Sequence, residues 1–425
     1  MTHSLNQNLQ KYFLLFSMML VCEFALAQLT IESCQEKAKK NYPLIKQYDL
    51  ISRSVEYTLS NANKGYLPQI SVTGIGAYIF KGLPSTNLPG VPAKEPDKFQ
   101  MIGIGQVNQT IWDGGATRSQ KEIAKASGEV ESANIDVVLY SIKERVNQLY
   151  FGILLIDEQL NQLAIAQEVI NRDLNAVTLS KDNGLAYQTD VDELKAELMN
   201  LDQHKIEFRY TRKGFVEMLS YMIGQQLPEE TSFNKPVVLD SVLSDSNNRP
   251  ELKLYANQRK LSTAQASLNR VYNMPKIGVL GAAVLIEPGI AFGTSTLSSL
   301  AIGGVSLSWN TGGLYKTFNN NQLDKIRVDR ISNQEETFLF TTNLQLKQTQ
   351  ADIEKQKAVL AKDHEIVALK EKIRRDYQKR YDNGISSMNN VIQSMNKESE
   401  ARSQEALHQV QLLMSLYQYQ TINGN

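Results

Sequence analysis

Cysteine is nearly absent from this chain: Cys22 and Cys34 are the only two among 425 residues. No disulfide framework holds such a protein, so its stability has to come from packing. Histidine is scarce too, with four residues. His204, His364 and His408 each lack a second ligand at helical spacing, so none opens a metal motif and all three read as structural. Neither sign of charge dominates, since 45 basic residues stand against 45 acidic ones, and this removes the electrostatic argument for a nucleic-acid partner or an anionic surface. Beyond the N-terminus no stretch reaches the ~20 apolar residues of a membrane-spanning helix. A chain of this kind enters a membrane as strands or not at all. Also missing are a nucleophile–base pair and paired carboxylates. Gly103-Ile104-Gly105 sits inside a strand-like run rather than opening a helix, so it is no phosphate cradle. The expectation is a protein without catalytic residues, cofactor or bound metal, and not an enzyme.

Residues 1–27 read as a secretory signal peptide, because Lys11 precedes the apolar run Tyr12–Val21 and Ala25-Leu26-Ala27 offers a small-x-small cleavage site. Cys22 invites a lipoprotein reading, but Val21 before it is bulkier than the small residue normal there. Cleavage after Ala27 leaves Cys34 as the one cysteine of the exported chain.

Heptad spacing, by contrast, is abundant. Ile135, Leu139, Ile142, Val146, Leu149, Ile153, Ile156, Leu160, Leu163, Ile170, Leu174 and Val177 recur at steps of three and four, broken only at Gln167. A strict seven-residue repeat of this length implies left-handed supercoiling against a neighbour over roughly 65 Å. The same rhythm returns later in the chain: Leu139, Val146, Ile153 and Leu160 reappear as Leu339, Leu346, Ile353 and Leu360, with Val367 in the place of Gln167. Asn41-Tyr42-Pro43 matches Asn248-Arg249-Pro250, and Pro68 matches Pro275, at a shared offset of 207. The chain is a tandem duplication. Repeat 1 covers 28–224, a linker covers 225–247 with a short strand suggested at Val237–Leu239, and repeat 2 covers 248–425.

The first repeat opens with a helix, from Thr30 as N-cap, through Pro43, to about Gly65. The period then changes. Runs rich in β-branched, aromatic and Gly residues predict strands at about 68–80 and 99–112, and again at about 275–287 and 299–310. In the last of them Val305, Leu307 and Trp309 alternate with Ser306, Ser308 and Asn310, which makes one apolar and one polar face. Gly114-Gly115 and Gly312-Gly313 turn the strands into long helices, about 116–181 and 314–381. Turns at Gly184 and Gly384 lead into return helices at about 190–222 and 390–420. Four strands cannot close a barrel, and each unsatisfied backbone group at an open edge in lipid costs several kcal/mol. Three copies would supply twelve strands, within the range of even-numbered barrels, whereas two copies would leave little lumen. The predicted fold is therefore mostly α with a membrane β-barrel part: tandem coiled-coil hairpins and four strands per chain, a homotrimeric 12-stranded barrel in outer-membrane lipid continuous with a 12-helix periplasmic α-barrel. Tyr66, Tyr78, Trp112 and Trp309, near strand ends, are candidates for interfacial aromatic girdles.

The order Leu29-Thr30-Ile31-Glu32, Ala38, Asn41, Pro43, then Gly65-Tyr66-Leu67-Pro68, Trp112-Asp113-Gly114-Gly115 and Gly184 with Asp190-Val191 resembles the TolC-like outer-membrane efflux protein family. The resemblance spans the exported chain twice over. It implies a passive exit duct of a tripartite efflux or type I secretion system, docked to a periplasmic adaptor and fed by an inner-membrane pump, which exports small molecules such as drugs and toxic compounds; members of the family also serve metal and protein export. It also implies site roles. Asn183-Gly184-Leu185 and Asn383-Gly384-Ile385 match the tip that docks the adaptor. Asp190 and Tyr381 match two partners of the family's closed-tip lock, while Ser386 stands where its arginine would be. Asn390 and Gln393, both neutral, match the acidic ring of the aperture. The competing reading is a soluble periplasmic coiled-coil adaptor or scaffold, which accounts for the long helices but gives the strands no purpose.

Overall fold

A computed structural model of the chain describes residues 29–78, 80, 98–236, 247–287 and 298–424. Cys22 with the rest of the signal peptide, and the strand suggested at Val237–Leu239, fall outside the described residues. Helix α1 (Ile31–Asn41) is capped by Thr30, whose hydroxyl accepts from the Ser33 N–H at 3.3 Å. Pro43 then breaks the single helix read from the sequence. A proline disfavours helical backbone in the residue before it, and Tyr42 is extended at φ −65°, ψ 128°. A 3-10 turn, Pro43–Lys46, leads into α2 (Gln47–Lys64). Then follow β1 (Gln69–Tyr78), β2 (Phe99–Trp112), the 67-residue α3 (Ala116–Asp182) and the return helix α4 (Gln188–Ile223). Repeat 2 supplies α5 (Pro250–Val271), β3 (Lys276–Glu287), β4 (Ser298–Ser308), the 66-residue α6 (Thr317–Asp382) and α7 (Met388–Asn423). At ~1.5 Å per residue, α3 and α6 are each about 100 Å long.

Two compact units form, and each takes segments from both sequence repeats. One holds residues 46–137 and 250–338, and its centre is an antiparallel sheet in the order β1-β2-β3-β4. Among the described residues β1 and β4 each pair along one side only. The register sorts the side chains into two unlike faces. One carries Ile70, Val72, Val107, Ile277, Val279, Val305 and Leu307 toward the helices, glycines midway, and Tyr78, Phe99, Met101 and Leu285 toward the loops. A bulge at Thr110/Trp112 returns Trp112 to this same face, opposite Ile277. Gln109, Glu287 and Ser299 are its polar members. The other face is mostly polar toward the helices, with Gln69, Ser71, Gln106, Asn108, Ser306 and Ser308 beside Leu280, and mostly aliphatic in its other half, where Gln100 stands in the last row. Of the candidate girdle residues, Tyr78 and Trp112 thus share the apolar face at opposite ends.

The other unit holds residues 138–249 and 339–425 together with the N-terminal segment through Ile45. Its core is the seam of α3: Leu139, Val146, Ile153, Ile170 and Val177 are buried, with Tyr150 and Phe151 beside them. Tyr150 bonds the carbonyls of Leu29 and Asn234, both at 2.7 Å, and so anchors the chain start and the linker to the helix. Asn41 donates to the Tyr221 and Met222 carbonyls at 3.1 Å each, closing the C-terminus of α4. The seam of α6 is of another kind. Thr342, Thr349 and Asp363 are buried along with Ile353 and Val367. Asp363 pairs with His408 of α7 at 2.6 Å, and Glu398 of α7 takes Arg374 at 2.6 Å and Arg402 at 2.9 Å. Along the α3 seam burial is mainly aliphatic, with the Arg212–Asp157 pair beside it, whereas the α6 seam mixes aliphatics with buried polar layers. Ile153→Ala should lower the unfolding free energy by about 2–5 kcal/mol in denaturant titration. Val138→Ala, at a partly exposed position of the same helix, should change it by less than about 0.5 kcal/mol; equal effects would contradict the seam.

Candidate functional site

Both helical hairpins turn by the same backbone device. Gly184 N–H bonds the Lys181 carbonyl at 2.9 Å and Leu185 N–H the Ser180 carbonyl at 2.8 Å. Gly384 bonds Tyr381 and Ile385 bonds Arg380, both at 2.8 Å. This is the Schellman pattern, whose left-handed residue favours glycine, and both glycines sit at φ +73°. Asn183 and Asn383 fold back onto the carbonyls four residues earlier, at 2.8 and 2.7 Å. The residue after a Schellman glycine usually packs back on its own helix. Here Leu185 is 82% exposed and Ile385 77% exposed. Each tip therefore shows a bare branched aliphatic on a rigid turn.

Behind the tips the two hairpins share one apolar cluster, with Ile170 and Val177 of α3, Val191 and Leu194 of α4, and Met388, Val391 and Met395 of α7. Tyr377 and Tyr381 of α6 pack against it. Burial, then the charges of Asp190 and Asp382, raise the Tyr381 hydroxyl above its ordinary value. The chain thus brings Asp190 and Tyr381 within electrostatic reach. The hydrogen bond Asp190 makes is local, its carboxylate accepting from the Tyr187 N–H at 3.1 Å at the start of α4. Ser386, just before α7, accepts from Asn390 at 3.1 Å, and Gln393 donates to Asn389 at 3.4 Å within the first turns of that helix. Within one chain the matched gate residues of repeat 2 bond their own helix.

Sequence reasoning missed a second contact near the tips. Asp173 of α3 is mostly buried, and no protein donor reaches its Oδ2. Burial raises its carboxyl above the ordinary value; Arg172 and Arg374 oppose the rise and Asp382 adds to it. Gln378, one turn from both Arg374 and Asp382, also has a buried Oε1 without a donor, while its Nε2 donates to Asp382 at 3.1 Å. The only signal in the sequence is an acidic residue one step before seam position Leu174.

The strand-to-helix turns differ between repeats. Asp113 takes the Gly115 N–H at 2.9 Å and the Thr117 N–H at 2.7 Å. Burial alone would raise this carboxyl, but the Thr117 hydroxyl and N–H, the Tyr66 hydroxyl and the Gly115 N–H outweigh it and hold it below the ordinary value. Gly114 has φ +72°, and a Cβ there would stand 2.7 Å from Cβ of Met274, so both space and backbone demand glycine. Gly312 and Gly313 instead lie in a 3-10 turn, Thr311–Lys316, with Asn310 accepting from Gly312 at 3.2 Å. Neither has positive φ. No group of three or more His, Cys, Asp or Glu is arranged to hold a metal among the described residues, and no described helix is long and apolar enough to cross a membrane.

No protein-family description and no curated protein matches the chain. Solved structures do: the chain shares the fold of several outer-membrane channels. The Vibrio cholerae outer membrane protein VceC matches with a TM-score of 0.64 and 13% identity over 93% of this chain and 97% of that one. The Campylobacter jejuni CmeC outer membrane channel gives 0.63 and 13% over 93% and 85%. The Neisseria gonorrhoeae MtrE outer membrane channel, in its open state, gives 0.61 and 15% over 93% and 89%. At these identities the likeness establishes the fold.

Asp173 makes a pH prediction. Its raised carboxyl contributes stability that is complete below the ordinary carboxyl value and is lost as pH rises through the raised one. Asp173→Asn, which carries a donor and no charge, should flatten this slope of melting temperature against pH and add about 1–3 kcal/mol near neutrality. A variant with the wild-type slope would place the titrating group elsewhere.

Proposed function

We propose that the chain is an outer-membrane exit duct: a homotrimer whose sheets close into a 12-stranded barrel and whose hairpins form a 12-helix periplasmic tunnel. In this reading it docks a periplasmic adaptor at its tips and passes molecules delivered by an inner-membrane pump. It carries out no chemistry. The observation that carries the reading is the sheet. Among the described residues it has two free edges, and one face is apolar almost from end to end, with aromatic residues at both ends. Such a face suits lipid, and such edges suit pairing β4 of one copy with β1 of the next, which leaves no backbone group unpaired.

Helix α6 supports the same assembly. Besides the seam it shares with α7, it bears a second line of apolar and small residues, Phe340, Leu344, Ala351, Ala358, Leu369 and Ile373, all exposed in the single chain. A helix with two seams fits a ring, in which every helix has two neighbours. VceC, CmeC and MtrE, by their descriptions, are outer-membrane proteins or channels. A soluble scaffold would leave the apolar sheet face bare.

Residues 1–27 act as the export signal, cleaved after Ala27. Leu185 and Ile385 form the apolar contacts for the adaptor, held out by Gly184 and Gly384. Asp190 and Tyr381 belong to the tip closure, with Ser386, Asn390 and Gln393 as its neutral lining. The double substitution Leu185→Asp and Ile385→Asp leaves the turn glycines intact. It should abolish dye efflux from intact cells, by tenfold or more if each lost contact is worth ~1 kcal/mol or above, while outer-membrane trimer levels stay normal. Unimpaired efflux would remove the tips from the docking surface.

A further inference from the structure

The mixed face of the sheet is divided along its length. At the level of the helices it is mostly polar, Leu280 excepted, but two adjoining cross-strand rows in its other half are aliphatic. Ile75, Ile102 and Ile286 stand in register in one row, and Ile104, Val284 and Leu300 in the next. Ser298 and Thr73 complete the rows, and Ile302 follows one row further toward the helices, opposite Ala282. Six branched aliphatics out of eight positions is not the pattern of a surface that only wets a channel.

The opposite face already has the composition lipid requires, so the exit-duct reading puts the aliphatic rows on the inside. The burial of β2 and β3 agrees with that assignment. On these two central strands Ile102, Ile104, Val284 and Ile286 are half-buried, whereas Met101, Val107, Val279 and Leu285, pointing the other way, are exposed; Ile75 and Leu300, on the edge strands of the isolated chain, are exposed. Side chains crowd one another on the inner side of a curled sheet and splay apart on its outer side.

We infer that Ile75, Ile102, Ile104, Val284, Ile286 and Leu300, repeated in three copies, form an apolar belt around the outer half of the lumen, and that the cargo it takes is an amphiphilic organic molecule rather than a hydrated ion. The inference rests on the exit-duct reading. Water and ions gain nothing from such a belt, while a molecule with an alkyl or aromatic portion loses apolar surface to it on the way out. The mostly polar rows on the helix side hold such a molecule less well, so cargo is drawn from that section onto the belt. Binding there stays weak because the belt covers only one side of the molecule at a time, which lets the cargo leave.

The test uses purified trimers of the full chain in planar lipid bilayers, with ion current blocked by alkyltrimethylammonium ions of increasing chain length. In the wild type the blocking concentration should fall with each methylene, by up to about fourfold where the methylene is fully covered. The triple variant Ile104→Thr, Val284→Thr, Leu300→Thr keeps β-branched or similarly sized residues in the strands. It should conduct normally and lose most of the chain-length dependence. Val284→Thr alone should lose part of it, and Val305→Thr, on the opposite face, none. Chain-length dependence that is absent in the wild type, unchanged in the triple variant, or removed by Val305→Thr overturns the belt while leaving the duct standing. Wild-type protein that never conducts overturns the duct, and the belt with it.

Discussion

A strand at the edge of a sheet presents a row of unpaired N–H and C=O groups, and among the described residues this sheet ends in two such rows, β1 and β4. In water each group finds a partner; in hydrocarbon each costs several kcal/mol. Copies of the chain satisfy both edges at once when each donates its last strand to the next copy's first, and cyclic symmetry repeats the same contact until the ring closes. In the proposed trimer the apolar sheet face would meet lipid once the edges are joined, and the second apolar line of α6 would face a neighbouring helix.

Duplication supplied the pieces and divergence gave them different tasks. The two hairpin turns remain superposable in their hydrogen bonds, down to the asparagine that folds back beside each glycine. The seams behind them have parted. Buried aliphatics in α3 hold a helix in one register, whereas Asp363–His408 and the Arg374–Glu398–Arg402 group in repeat 2 depend on charge and hydrogen-bond geometry. The strand-to-helix turns parted too, one using a carboxylate cap with two left-handed glycines and the other a 3-10 turn.

Much of this was legible in the sequence where a single periodicity sets the structure. The α3 seam could be read because apolar residues at steps of three and four leave a helix one side to bury, and the tip glycines because a Schellman turn favours a residue without Cβ. The break at Pro43 was underestimated: tolerating a proline at a helix's first turn is different from passing a helix through it. The polar seam of α6 was invisible for a reason of principle. Thr349 or Asp363 on a helix reads as solvated unless the partner on the facing helix is known, and His408 lies 45 residues away. Asp173 and Gln378 share that difficulty, since the burial of their side-chain oxygens depends on how the helices pack. The division of the sheet's mixed face needed register, because isolated strands hide which residues share a row.

The central claim is closure by three copies, and native mass spectrometry of the protein extracted from outer-membrane fractions tests it most directly. The account predicts a complex of three chains in that fraction, each beginning near Gln28. A monomer or dimer recovered from the soluble periplasm would contradict it and would leave the strands in need of another explanation.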